Sequence, residues 1–457
     1  MASNTAIQTS TEFHLQNPRK KRKPANLRPT RALRLLPKSA SVTLQRQTPD
    51  VTLRPPPSPE ALLSLEFASL LRYLCMLDVP VMGDAPRYVG GHDLRVDNAA
   101  RAAVVALPYR LSANQTSRLR YLHYTTEAVK GLRTSIGTDD ASLVAIFVLA
   151  ISERLANEPW KSQAAHFRGI HAVLAARPRS TQSEGLGSAM IAKFATIHLP
   201  FLDYCLRDEP SLWDEERWLS LDLRDLQMSS RPELTMLAHV SFHLYIRLPR
   251  LISLARKCNA AFRHGRSSKH LEATCALAKE LLQLKNLEAE NTALHGVRVV
   301  GSAEFSSFRI LKHHLDFGSH RHLELAMDYW KLRLMAVNIA GRLHKLSPQS
   351  FDKAALVAAQ ESLATTLLMI LPEKEQSAAA MDHLPDGVIL ALLALYAALI
   401  DKASFRKVPA AFVRDWIWRT IRALTPQTAC DLEDVQASAE MLSGGPIEGI
   451  LTKLNIG

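Results

Sequence analysis

Residues 137–176 read GTDDASLVAIFVLAISERLANEPWKSQAAHFRGIHAVLAA, and this stretch decides the fold class of the chain. The run Ala141–Leu155 is apolar at most positions, which is typical of a buried helix. Asp139 or Asp140 can cap its exposed amides, with negative charge at the positive end of the helix dipole. Pro159 suits the first position of a following helix. The stretch therefore predicts two adjacent helices packed on each other.

The second of these helices repeats apolar and aromatic residues at helical spacing. The residues that share this face are Trp160, Ala164, Phe167, His171 and Leu174. Gly169 lies within the same helix, where the absence of a side chain would let the two helix backbones approach closely. We interpret Gly169 as a packing residue.

The chain from Glu60 onward is predicted to be almost entirely helical. Apolar residues recur three and four positions apart, and alternating stretches rich in Val, Ile and Thr are scarce. The predicted helices are Glu60–Leu77, Val96–Arg110, Gln115–Ser135, Ala141–Leu155, Trp160–Ala176, Leu186–Leu206, Glu233–Arg263, Ser268–Leu294, Leu323–Leu346, Phe351–Leu371, Pro385–Lys402 and Pro409–Leu424. No period of roughly 20 to 50 residues recurs, which argues against a regular repeat array.

These patterns predict an all-α fold, a large irregular multi-helix domain over residues 60–424. At 457 residues the chain exceeds the usual size of one core, so two packed helical subdomains are left open. The looser zone Val297–Phe317 is where they would divide. Residues 425–457 are interpreted as a C-terminal tail with one short helix.

Residues 1–59 differ from the body in composition. They hold nine of the 24 prolines, which predicts a disordered arm and linker. They also hold 11 Lys or Arg against only Glu12 and Asp50, so this arm carries +9 of the net charge of +12. The body is nearly balanced and has no general electrostatic demand for a nucleic acid or an anionic membrane.

A compact basic run lies in this arm, at Arg19, Lys20, Lys21, Arg22 and Lys23. Five adjacent cations on a flexible segment can enter an acidic groove together, which indicates a nuclear import signal. Nonspecific attraction to phosphates is the alternative. Prolines and the dense Lys/Arg cluster disfavour a mitochondrial presequence helix. We therefore predict a nuclear location, with the import machinery as a partner.

The five cysteines are spread singly, at Cys75, Cys205, Cys258, Cys275 and Cys430. Without a close C-x-x-C pair they predict buried, reduced thiols in a reducing compartment. Neither a structural zinc site nor a disulfide framework is indicated.

Patterns typical of membrane proteins and enzymes are not found in the sequence. The longest apolar runs, Ala141–Ile151 and Val388–Ile400, are shorter than the roughly 20 residues that span a bilayer, so no membrane segment is expected. No H-E-x-x-H, G-x-S-x-G or phosphate-loop pattern occurs. We predict that the protein is not an enzyme and uses no cofactor or metal.

Residues 122–178 carry an ordered set of features: an apolar helix that closes on Glu153, then Trp160, then His166 and Gly169 in an H-x-x-G pattern. The stretch Tyr121–Asp208, which contains this order, resembles the regulatory domain of the fungal-specific transcription factors, a family that usually joins a binuclear zinc cluster to a large helical region. Glu153, Trp160, His166 and Gly169 match the family's positions, and the resemblance implies a structural role for them.

Weaker similarity extends to both sides of this stretch. Leu62–Val81 is similar to the family's opening helix, and Ala326–Leu346, with Tyr329 and Trp330, is similar to a later Tyr/Trp-bearing helix. The resemblance implies regulation of transcription through protein partners or a small apolar ligand, and it leaves a homodimer open. A noncatalytic interaction scaffold and an all-α enzyme with an internal pocket are the alternative functions.

The chain departs from the family at the DNA-binding element. That element needs six cysteines to hold two zinc ions, and this chain has no such set. The family's sequence-specific contact with the major groove is therefore not carried over, and direct DNA binding is left open.

Three groups of polar or periodic residues have competing interpretations. Glu153 and His166 are interpreted as an interhelical hydrogen bond, with an acid/base pair as the alternative. Four histidines are interpreted as a polar loop, with a metal site as the alternative. They are His313, His314, His320 and His322.

A leucine series is interpreted as a core stripe, with a coiled-coil seam as the alternative. Its members are Leu271, Leu277, Leu281, Leu284 and Leu287.

Overall fold

Helices make up nearly all of the secondary structure in the computed structural model. The structure describes residues 58–73, 85–112, 115–135, 137–156, 158, 160–177, 198–220, 232–295, 297–301, 311, 313–317, 320–380, 385–425 and 429–448. The predicted all-α class is confirmed. The basic run at 19–23 and the rest of the arm up to residue 57 lie outside the described residues.

The first half of the body contains seven described helices and one 3-10 turn. Helix α1 spans Pro59–Tyr73, α2 Leu94–Ser112, α3 Gln115–Ser135, α4 Asp140–Leu155, α5 Trp160–Ala176, α6 His198–Arg207 and α7 Glu216–Leu219, and the 3-10 turn Ala85–Tyr88 precedes α2. Helices α3 and α5 have the predicted bounds. Of the predicted helix Leu186–Leu206, residues 186–197 are outside the described part.

The second half contains the longest helices and two short hairpins. Helix α8 spans Pro232–Arg263, α9 Leu271–Gln283, α10 Leu287–His295, α11 His320–Leu346, α12 Lys353–Ala380, α13 Pro385–Leu399, α14 Ala410–Leu424 and α15 Leu432–Met441. Strands β1 (Arg298–Gly301) and β2 (His313–Asp316) pair antiparallel, as do β3 (Ser404–Phe405) and β4 (Val408–Pro409). A 3-10 turn, Pro348–Ser350, precedes α12.

The prediction of a single helix Ser268–Leu294 is wrong, because residues 284–286 interrupt the helix and separate α9 from α10. Leu284 leaves the helical region with φ −69° and ψ 72°. Asn286 then starts α10, where its side-chain oxygen accepts a hydrogen bond from the backbone N–H of Ala289 at 2.9 Å. Leu277 and Leu281 are buried whereas Leu287 is 57% exposed, so the leucine series is not one continuous seam.

Two clusters of buried side chains hold the body together, and we call them the first and second cores. The first core is formed mainly by α1 to α5. In this core α2 packs on both α3 and α4, and Ala99, Ala102, Ala103 and Ala106 of α2 are all fully buried. Small side chains at this spacing allow two helix backbones to approach closely.

The second core is built mainly by α8 to α15. Helix α8 also contributes to the first core, through Phe242 and Ile246, while Leu244 and Leu248 face the second. Within the zone Val297–Phe317, where a division between subdomains was predicted, Leu315 and Phe317 belong to the second core together with helices that come before and after the zone.

The C-terminal segment is part of the second core as far as it is described. Asp431 and Asp434 form a capping box at the start of α15. Val435 and Ala439 of that helix are fully buried. Gly444 follows with φ +86°, and its carbonyl accepts a hydrogen bond from Nδ2 of Asn259 at 2.9 Å. Residues 432–444 are therefore a structural element rather than a peripheral tail.

One described stretch, Lys353–Leu371 of α12, is long and apolar enough to cross a membrane, with a mean hydropathy of 1.6. The lengths of the apolar runs in the sequence predicted no such segment. Of this stretch 39% is buried, and Leu363, Leu367 and Leu371 lie in the second core. Core helices of globular proteins have the same length and composition.

Candidate functional site

Glu153 and His166 meet across the interface between α4 and α5. Nε2 of His166 lies 2.9 Å from Oε1 of Glu153, and the two side chains are only 14% and 8% exposed. Glu153 is in the last turn of α4. Every residue of this helix from Ser142 to Glu153 is buried. The structure thus brings this predicted pair together in hydrogen-bonding geometry, and burial limits its access to a substrate.

Further ionisable groups surround this pair. Tyr121 of α3 is 1% exposed, and burial together with the negative charge of Glu153 raises the pKa of its hydroxyl. Burial also raises the pKa of Glu158, with Glu153 raising it further and Arg118 opposing the shift. The junction of α3, α4 and α5 is therefore partly shielded from water and acidic. Burial and the charge of Glu153 both favour the protonated forms of Tyr121 and Glu158.

Gly169 lies one turn further along α5 and faces Ile146 of α4. A Cβ atom added to Gly169 would lie 3.6 Å from Cγ2 of Ile146, which is ordinary van der Waals contact. The interface therefore has room for a methyl group at this position but not for a long side chain. Trp160 begins α5, and its side chain lies outside the described residues.

The start of α4 is held by the aspartate cap expected from the sequence. Oδ1 of Asp139 accepts a hydrogen bond from the backbone N–H of Ser142 at 2.6 Å. Arg95 of α2 connects to the same place, donating from Nη1 to Oγ of Ser142 at 2.8 Å and pairing with Asp139 at 3.4 Å. Asp140 instead pairs with Arg177, just after α5, at 2.7 Å. Both aspartates thus serve helix packing.

A small niche opens between α5 and α6. Its lining residues are Ala164, Phe167, Arg168, Pro200, Asp203, Tyr204 and Trp213. Asp203 pairs with Arg207 at 3.1 Å and with Arg168 at 3.5 Å. Burial raises the pKa of Asp203, and the two arginines act in the opposite direction. The free volume of about 10 Å³ has room for roughly one water molecule.

Sequence reasoning missed a buried ionic network between α8 and α11. Lys331 is fully buried, and its Nζ lies 2.6 Å from Oδ1 of Asp328. The hydroxyl of Tyr245 donates to the same oxygen at 3.2 Å, and Nζ of Lys331 lies 5.5 Å from the centre of the Tyr245 ring. The only sequence signal was the i, i+3 spacing of Asp328 and Lys331.

The histidines of this group that the structure describes do not form a metal site. His313 and His314 lie in β2, which corrects the expectation of a loop. His322 is buried on α11, with its ring 5.0 Å from that of Phe317. The side chain of His320 is outside the described residues. Within the part of the chain that the structure describes, no group of three or more His, Cys, Asp or Glu residues has the geometry to hold a metal ion.

Four cysteines are buried free thiols, as predicted. They are Cys205, Cys258, Cys275 and Cys430. Burial raises the pKa of the Cys205 thiol, which keeps it protonated and unreactive. Cys75 is outside the described residues.

Comparison of the chain with protein-family models, with curated proteins and with solved structures finds no match.

Proposed function

We propose that this protein is a nuclear, noncatalytic regulator of transcription that acts through its helical body and protein partners. The observation that carries the proposal is the run of five cations Arg19–Lys23 in an arm of net charge +9. Such a run matches the chemistry that import receptors recognise. The resemblance of residues 122–178 to the regulatory domain of the fungal-specific transcription factors supplies the regulatory role.

The geometry of the motif residues supports a structural role for them. Glu153 and His166 join two helices at 2.9 Å, and Gly169 faces Ile146 in the same interface. Side chains that are this buried stabilise a fixed arrangement of helices, on which a partner-binding surface can be built. The proposal therefore assigns specificity to surfaces of the body and location to the arm.

The location is tested with a fluorescently tagged full-length chain in which Arg19–Lys23 are replaced by glutamine. We expect the parent chain to concentrate in the nucleus and this variant to lose most of that enrichment. A matched control replaces five exposed cations of the body with glutamine. These are Arg118, Arg120, Lys130, Arg133 and Lys285. The control should stay nuclear because it changes the net charge equally but keeps the run.

Equal distributions of the parent chain and the arm variant would contradict the nuclear assignment. That result would favour the alternative of an interaction scaffold outside transcription. Loss of nuclear enrichment in both variants would also count against the proposal, because net charge instead of the local run would then set the location.

A further inference from the structure

Helix α8 and the turn after it carry an unusual excess of positive charge. Residues 234–271 contain seven Lys or Arg and no Asp or Glu. The three inner arginines are matched by carboxylates from other elements. Arg247 pairs with Glu280, Arg250 with Asp214, and Arg256 with Asp208. These cations are therefore neutralised within the fold.

The outer cations are not matched in this way. Arg263, Arg266 and Lys269 are all exposed, and none forms an ion pair with a carboxylate among the residues that the structure describes. Lys257, earlier on α8, is exposed as well. Charge that folding does not use is concentrated at one end of α8, where it can attract an external anion.

The backbone holds these cations in a fixed turn. Gly265 has φ +66°, and the backbone N–H of Arg266 donates to the carbonyl of Ala261 at 2.9 Å. This bond closes the end of α8 in the manner of a Schellman cap. Ser268 then accepts a hydrogen bond from the backbone N–H of His270 at 3.2 Å, just before α9 begins. Local hydrogen bonds thus define the backbone of the turn.

An exposed aromatic residue, Phe262, occurs in the same short segment as the cations. Phe262 is 61% exposed and directly precedes Arg263, the last residue of α8. A segment with an exposed ring and several exposed cations offers both a stacking surface for an unpaired base and contacts for phosphates.

We infer that the turn Phe262–Lys269, here called the basic turn, binds single-stranded nucleic acid. Arg263, Arg266 and Lys269 contact the phosphates, and Phe262 stacks on a base. An acidic polypeptide would satisfy the cations, but it has no planar base for the ring. The inference does not depend on nuclear import, because it concerns binding by the purified chain.

The test measures binding of a fluorescent thymidine oligonucleotide to the purified full-length chain over a range of salt concentrations. All chains carry glutamine at Arg19–Lys23, so that the arm does not dominate the binding. The first variant replaces Arg263, Arg266 and Lys269 with glutamine. The matched control replaces three exposed cations of α3 with glutamine. These are Arg118, Arg120 and Arg133.

We expect the basic-turn variant to lose at least about tenfold in affinity at low salt. The slope of log affinity against log salt concentration should become shallower by about 2, because each lost phosphate contact with a single strand removes about 0.7 from its magnitude. The α3 control should stay within about twofold of its parent, since its charge is equal but lies elsewhere. Equal losses in the two variants, or unchanged binding by the basic-turn variant, would overturn the inference.

The Phe262→Ala variant tests the stacking contact. It should weaken oligonucleotide binding roughly tenfold and leave inorganic polyphosphate binding unchanged, because polyphosphate has no bases. Unchanged oligonucleotide binding, or equal loss for both probes, would contradict a stacking role. Polyglutamate that binds as tightly as the oligonucleotide would assign the basic turn to an acidic protein partner instead. A thermal melt confirms that each variant is folded.

Discussion

Lys331 and Asp328 form an ion pair inside the second core, with Nζ and Oδ1 2.6 Å apart and the lysine fully buried. Replacement of Asp328 by alanine would remove this carboxylate from beside a buried ammonium, and we expect it to lower the free energy of unfolding by about 3–5 kcal/mol. Lys331→Met is the matched control, because methionine keeps much of the volume and removes the charge. Urea melts should show a clearly smaller loss for Lys331→Met, and equal losses would contradict the electrostatic explanation.

The contact of Gly169 with Ile146 predicts a size limit at the interface of α4 and α5. Gly169→Ala should be neutral or stabilising by up to about 1 kcal/mol, because the added methyl fits and alanine favours the helix. Gly169→Leu should be destabilising by about 1–3 kcal/mol, because the longer side chain must displace Ile146. Thermal unfolding of the two variants checks this, and a Leu variant as stable as the Ala variant would show that the interface is not closely packed.

Gly444 is tightly enclosed as well as left-handed. A Cβ atom there would lie 2.7 Å from Cβ of Ala255, in addition to the cost of φ +86°. Gly265 has φ +66°, but nothing lies within 4 Å of the position that a Cβ atom would take, so Gly265→Ala should cost only about 1–2 kcal/mol. We expect Gly444→Ala to lower the melting temperature more than Gly265→Ala does. The opposite order would mean that the segment after α15 does not dock on α8.

Asp214 predicts a stability that depends on pH. Its side chain is 1% exposed, and burial raises its pKa to about 6, with Arg250 and Arg247 opposing the shift. Because the folded pKa lies above the unfolded one, the stabilisation from protonated Asp214 is complete below about pH 4. It is lost as the pH rises through about 6.

The Asp214→Asn variant isolates this effect. The parent chain should gain roughly 1–3 kcal/mol relative to the variant when the pH falls from 7 to about 4. Comparison of the two chains cancels the contributions of all other titrating groups. Urea melts at several pH values measure the difference, and a difference that does not change with pH would refute the raised pKa.

The hairpin of β3 and β4 stores backbone strain at its two-residue loop. Arg406 and Lys407 have φ +46° and +67°, a conformation that glycine and asparagine adopt more readily. Lys407→Gly should raise the free energy of unfolding by about 1 kcal/mol, because glycine relieves the strain. Lys407→Ala is the control for loss of the side chain and should give no such gain. Thermal melts distinguish the two variants, and equal melting temperatures would argue against strain at this loop.

The sequence predicts those features that depend on local pattern. The bounds of α3 and α5, the Asp139 cap and the meeting of Glu153 with His166 all follow from helical periodicity and capping within short stretches. The interface of α4 and α5 was predictable because two sequential helices joined by a short connection pack side by side.

Features that depend on distant contacts were not predicted. The four residues of β1 are too few to show an alternating pattern, and even the closest pair of the hairpin, Gly301 and His313, is 12 positions apart in the sequence. The burial of Lys331 depends on Tyr245, which is 86 positions earlier in the sequence, and on the packing of α8 against α11. A charged residue at that spacing is normally predicted to face solvent.

Helix α8 contributes side chains to both clusters of buried residues, and this has a consequence for producing the protein in pieces. A fragment that ends before residue 232 would lack Phe242 and Ile246, and one that begins after residue 231 would expose those same rings and methyl groups to water. Each fragment would present an unsatisfied apolar surface and is expected to aggregate. Co-expression of the two pieces should rescue their recovery, because only together do they restore the shared interface.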